Sequence, residues 1–148
     1  MNKISIKAVA IGSVADIVLT NVFMFVLMIY VVSSLISGGV PQQDVEKLLL
    51  PTIQGDVGYF LISVTLGCIA SVVGGYIAAR IAKKHEVLNG LLASFLCVIS
   101  GIYGLVSGMG EMPFWQHILF LMLSPALAAG GGYLRLLQVR NAQRETTV

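Results

Sequence analysis

Ser71–Lys84 reads SVVGGYIAARIAKK: a run of small residues, the triplet Gly74-Gly75-Tyr76, then Arg80, Lys83 and Lys84. This is the make-up of the end of a transmembrane helix. Glycines let a neighbouring backbone come close, an aromatic ring sits near the headgroups, and the charges that follow stay in water. The pattern returns at Gly131-Gly132-Tyr133, followed by Arg135, so two helices are expected to finish alike on one side. Ser71–Ile77 aligns without gaps on Ala128–Leu134. The echo suggests two helical hairpins related by a two-fold axis along the membrane normal, although shared helix-end physics would produce it equally well.

Composition sets the class. The 148 residues are 57% hydrophobic and 11% charged, with a mean hydropathy of +0.90, against about 25% charged residues in soluble domains. A soluble fold of this length has too little interior to hide that apolar surface. The expectation is an all-α integral membrane bundle of four transmembrane helices forming a single domain, with the lipid bilayer as its first partner. A net charge of +2, with cations at the ends of apolar runs and on no common face, does not imply nucleic acid. Cys68 and Cys97 lie inside apolar runs and read as small packing residues. His85 stands beside two lysines with no second ligand at metal spacing, so neither a metal nor a cofactor is expected.

The basic start, Lys3 and Lys7, leads into an apolar run from residue 8 to about 36, too long for a signal-peptide core and followed by no A-x-A-like site. It reads as a retained first span. Asp16 stands about nine residues past the basic start, some ~13 Å along a helix rising 1.5 Å per residue. Ser13, Asp16 and Thr20 share a helical face, with Asn21 at its edge near the midplane. An acid at that depth costs about 2.5–3.5 kcal/mol on insertion scales, so it should face the bundle interior or water and have a partner. The four residues are the candidate intramembrane polar site; the plainer alternative is a carboxyl solvated at the interface or held neutral.

Gly38-Gly39 should end this helix, and Pro41 and Pro51 should bracket a short helix over 41–50, lying in the outer interface with its leucines dipping into lipid. The other spans are expected over 57–79, 87–106 and 114–139, with a flexible polar tail over 140–148. The candidate helix-packing residues are Gly67, Ser71, Gly74, Gly75, Gly90, Gly101, Gly104, Gly131 and Gly132, small residues recurring at three- and four-residue steps. Asn89 is placed to cap the third span. Glu111 and Pro113 mark an outer turn, Trp115 an interfacial aromatic and His117 a tolerated interfacial residue. Pro125 and the following glycines predict a kinked or locally open fourth helix.

Of nine cations, Lys3, Lys7, Arg80, Lys83, Lys84, Arg135, Arg140 and Arg144 fall on one side of this arrangement and Lys47 on the other. The positive-inside rule then puts both termini of a multi-pass protein in the cytoplasm.

The run Gly74-Gly75-Tyr76-Ile77-Ala78-Ala79-Arg80-Ile81-Ala82, followed by a basic turn and Leu88-Asn89-Gly90-Leu91-Leu92, resembles a group of uncharacterised small four-span bacterial inner-membrane proteins. In these a G-G-Y/F-x-A-A-R-I-A helix end leads through a short basic loop into an x-H/N-G-x-x helix start. The resemblance covers about twenty residues, Gly74 to Leu92, and implies a four-helix protein of the bacterial inner membrane. It carries no activity, and Asp16 lies outside it.

Three functional classes follow. Small faces on three of the four spans point to a non-enzymatic accessory or scaffold subunit that packs with itself or with a larger membrane complex. Asp16, Asn21, the fourth-span proline and the echo point instead to a small oligomeric transporter or channel. An enzyme is disfavoured, because Asp16 and His117 should lie at opposite ends of the bilayer.

Overall fold

The computed structural model describes residues 4–107 and 114–145, which are helical with no strand among them. The expected turn at Glu111 and Pro113 lies outside the described residues, as do the side chains of Trp115 and His117. Long apolar runs become helices because in lipid each backbone N–H and C=O must find its partner within the segment. Six helices result: α1 Ile6–Ser37, α2 Gln42–Gly55, α3 Val57–Ala82, α4 Glu86–Ala93, α5 Phe95–Ser107 and α6 Phe114–Glu145. Ile6–Ser37, Val57–Ala82, Glu86–Ser107 and Ile118–Arg144 are each long and apolar enough to cross a membrane. The chain is a multi-pass membrane protein.

The contacts group into two compact units: residues 1–18 with 68–148, and residues 19–67.

The 19–67 unit has an aliphatic core of Leu27, Val31 and Ile53, flanked by Met24, Leu35, Leu49 and Tyr59. The Tyr30 and Tyr59 rings meet edge-on with centroids 6.2 Å apart, and the Tyr59 hydroxyl donates to Ser34 Oγ at 3.3 Å. Pro51 does not stop α2, which runs through it to Gly55. Proline removes one ladder bond, but Val45 before it and Ile53 after it are both buried and hold the two turns in register. Asp56 then starts α3, its Oδ1 accepting from the Tyr59 N–H at 3.1 Å.

The other unit is built differently. Among its described residues the buried apolar ones are all alanine: Ala8, Ala70, Ala78, Ala79, Ala93 and Ala128. Large side chains such as Val14, Ile69, Val73, Phe95, Ile99 and Met122 point outward. Lipid tails accept these, and the helices adhere by close backbone approach.

Three details of this unit depart from expectation. The third span is broken at Ser94 between α4 and α5. The Ser94 N–H turns back three residues to the Leu91 carbonyl at 3.3 Å, its hydroxyl donates to the same oxygen at 2.8 Å, and the Ala93 carbonyl accepts instead from Ser13 Oγ of α1 at 2.6 Å. Conversely, α6 runs as one helix through Pro125 and the glycines that follow, and it continues past residue 140 to Glu145.

Asn89, finally, does not cap. The N-cap position of α4 falls on His85, and Asn89, fully buried, reaches back a turn. Its Nδ2 donates to the Lys84 and His85 carbonyls at 2.9 and 3.1 Å, and its Oδ1 accepts the Ser5 N–H at 2.9 Å. That clasp joins the start of α1 to a turn in which Lys83 and His85 both adopt positive φ, 55° and 46°.

Candidate functional site

The site grows out of two glycines. A Cβ added at Gly12 would stand 2.8 Å from the Gly74 carbonyl, and one added at Gly74 would stand 2.9 Å from the Gly12 carbonyl and 2.7 Å from Asp16 Cβ. Only the absence of side chains lets α1 and α3 touch backbone to backbone. Asp16 lies one turn beyond Gly12, and Ser71 one turn before Gly74, so both are carried onto the same contact.

Asp16 is consequently 1% exposed. Ser71 Oγ of α3 donates to its Oδ1 and Oδ2, at 3.4 Å from each. Cys97 Sγ of α5 donates to Oδ2 at 3.3 Å. Ser124 of α6 completes the chain, its Oγ 3.5 Å from Ser71 Oγ. Side chains from α3 and α5 thus reach the α1 carboxyl group directly, and one from α6 reaches it through Ser71.

A cavity of about 230 Å³ adjoins the cluster, lined by Cys97, Val98 and Gly101 of α5 and Phe120, Leu121 and Ser124 of α6. Two residues of the polar cluster thus also form the cavity wall.

The face proposed from the sequence divides. Ser13 and Asp16 are buried, but Ser13 is committed to the Ala93 carbonyl. Thr20 is half-buried and Asn21 exposed, and both belong to the 19–67 unit. Sequence reasoning read Ser71 and Cys97 as packing residues and did not single out Ser124. The available signal was modest: Ser71 stands four residues before Gly75, Cys97 four after Ala93, and Ser124 directly before Pro125.

The packing glycines are used within the chain. Gly75 faces the Ala128 carbonyl, and Gly131 the Val72 carbonyl; Gly90 meets the Ala128 carbonyl and Gly132, and Gly132 the Glu86 carbonyl and Val87, while Gly101 meets the Leu121 side chain. Gly67 and Gly104 have nothing within contact distance. The two Gly-Gly-Tyr triplets are not used alike. Gly74 faces α1 whereas its gap-free counterpart Gly131 faces α3, and Gly75 faces α6 whereas its counterpart Gly132 faces α4. Tyr76 donates to Gln138 Oε1 at 2.7 Å, while Tyr133 is exposed.

Comparison with protein-family models, with curated proteins and with solved structures finds no match to this chain.

Proposed function

We propose that the chain is a non-enzymatic membrane protein that carries a proton, or a cation exchanged for one, at Asp16: a small oligomeric transporter of the bacterial inner membrane with both termini cytoplasmic. One observation carries this reading. A carboxyl group in an apolar span is wholly buried, with Ser71 of α3 and Cys97 of α5 donating to it.

Hydroxyl bonds to a carboxylate run at about 2.5–2.7 Å when they are strong, and the two Ser71 contacts are 3.4 Å. The neighbouring Ser13 bond, at 2.6 Å, has the length a lock requires. An acid in an apolar span costs about 2.5–3.5 kcal/mol, and such residues mark ion or proton sites. Asn21 is left out of the site because it is exposed.

The test is proton flux into proteoliposomes holding a pH-sensitive dye. Wild-type protein should collapse an imposed gradient faster than empty liposomes, Asp16→Asn should return the rate to the empty level, and Ser71→Ala should slow it several-fold. Equal rates for wild type and Asp16→Asn overturn the reading.

The accessory or scaffold reading keeps one specific support. Gly67 on α3, Gly104 on α5 and Gly130 on α6 have open space where a Cβ would go, as a helix from a second copy or from a larger complex would require.

A further inference from the structure

We propose that α3 and α6, where each runs into its cationic residues, form a binding site for the headgroup of an anionic phospholipid. Arg80 and Arg135 hold the phosphate, and the acyl chains lie along Ile69, Val73 and Leu134. The site is separate from Asp16 and does not depend on the transport reading.

Helix register sets the two arginines at one level. Ser71 stands beside Ser124, Gly75 beside Ala128 and Tyr76 beside Gly131. The helices α3 and α6 therefore run in the same direction, and Arg80 comes level with the turn of α6 that carries Arg135. Arg80 lies one turn beyond Tyr76 on the same face of α3. Tyr76 itself reaches across to α6. Its hydroxyl donates to Gln138 Oε1 at 2.7 Å, and Arg135 Nη1 donates to the same oxygen at 3.4 Å. One amide oxygen thereby sets tyrosine and guanidinium side by side at the α3–α6 seam, with Arg135 half-buried and Arg80 exposed.

Charge, donors and apolar surface each narrow the ligand. Among the described residues no acid forms an ion pair with Arg80 or Arg135. Beyond the bond to Gln138 Oε1, the Arg135 fork has no acceptor among them either. A guanidinium fork matches a phosphate through two parallel bonds. Two such cations with no acid between them repel the ammonium of a zwitterionic headgroup and attract one with net negative charge. The apolar track supplies the rest. Val73 and Ile69 continue the Arg80–Tyr76 face toward the middle of α3, Leu134 stands one turn before Gln138 on α6, and all three are exposed. Free phosphate leaves that track unused, whereas a phospholipid covers both parts. Basic pockets between transmembrane helices hold anionic headgroups in this way.

Native mass spectrometry on the full-length, delipidated protein in neutral detergent tests the proposal. The probes are dioleoyl phosphatidylglycerol, dioleoyl phosphatidylcholine and inorganic phosphate, at about 0.15 M salt, where diffuse surface charge is screened beyond about 8 Å. Phosphatidylglycerol should bind at least about five-fold tighter than phosphatidylcholine, and Arg80→Gln and Arg135→Gln should each weaken it about five-fold, as expected for one cation at a membrane surface. Arg135→Lys, which keeps the charge and loses the fork, should fall between wild type and Arg135→Gln. Arg144→Gln, which removes the same charge near the end of α6, should change binding less than about two-fold. Elution as a single species verifies that each variant is folded, and Arg80→Gln, at an exposed position, carries the test if Arg135→Gln aggregates. Equal binding of the two lipids, or an equal loss with Arg144→Gln, overturns the site. Displacement of the lipid by inorganic phosphate at equal concentration overturns the lipid assignment in favour of free phosphate.

Discussion

Asn89 shows how much one side chain can carry. It holds three backbone groups from two distant segments, the Ser5 N–H and the Lys84 and His85 carbonyls, and it stabilises a turn with two non-glycine residues in the left-handed region. Such residues cost roughly 1–2 kcal/mol each, so the turn persists because something else fixes it. Asn89→Ala should destabilise the protein by about 2–4 kcal/mol, since buried polar groups left unpaired cost about 1–3 kcal/mol each. Chemical unfolding in detergent, followed by circular dichroism, measures it. The Asn-Gly pair at 89–90 was visible in the sequence, but its role was not. A cap and a back-reaching clasp use the same residue type, and only the position of the helix start, on His85 and not beside Asn89, separates them. Asp16 was legible for a different reason: a charge in an apolar run is conspicuous anywhere. Its partners were not, because Ser71, Cys97 and Ser124 look the same whether a helix uses them for smallness or for a hydrogen bond.

At the scale of elements, glycine position separates contact from open space. Gly75 and Gly131 lie against the Ala128 and Val72 carbonyls across the α3–α6 contact, and an added methyl on either has no flexible atom to push aside. Gly75→Ala should therefore force α3 and α6 apart and lower the melting temperature by several degrees. Gly104→Ala, which meets nothing within 4 Å, should be neutral or should gain up to about 1 kcal/mol from better helix propensity. If Gly104→Leu instead abolishes an oligomer or the co-purification of a partner while the fold survives, the accessory reading gains over the transporter. The helices themselves were readable from apolar runs of spanning length, but their interruptions were not. The break at Ser94 depends on a hydroxyl eighty residues earlier, Ser13, taking the Ala93 carbonyl. Neither Pro51 nor Pro125 ends its helix: burial on both sides of Pro51 outweighs one lost ladder bond, and α6 continues across Pro125.

Across the molecule, hydrogen bonds join the start of α1 to the turn before α4, and α3 to α6, within the 1–18 and 68–148 unit. Ser5 is bonded to Asn89, Asn89 to the Lys84 carbonyl, and Tyr76 and Arg135 both to Gln138 Oε1. Charge counting along the chain expects both termini in the cytoplasm. Fusing a reporter after Val148 or within Lys83–Lys84 should give cytoplasmic activity, and a cysteine placed at Lys47 should react with a membrane-impermeant reagent from outside intact cells. Labelling of Lys47 from the inside alone would remove the proposed orientation. What the sequence did not disclose is that the chain forms two compact units with unlike interiors. Hydropathy reports that a residue is apolar, and is silent on whether it meets a neighbouring helix or a lipid tail.

The alanine-lined centre of the larger unit reverses the usual rule of mutational tolerance. In ordinary cores damage comes from trimming bulk, and neutral drift runs freely at the solvent boundary. Here the inner positions have almost no bulk to trim, so harm comes from growth: a single additional carbon at Gly12, Gly74 or Gly75 collides with main chain. The rim, meanwhile, can exchange one large aliphatic for another at will. Replacement libraries of this protein should therefore show intolerance that rises with the volume gained at the axis and stays nearly flat toward the lipid.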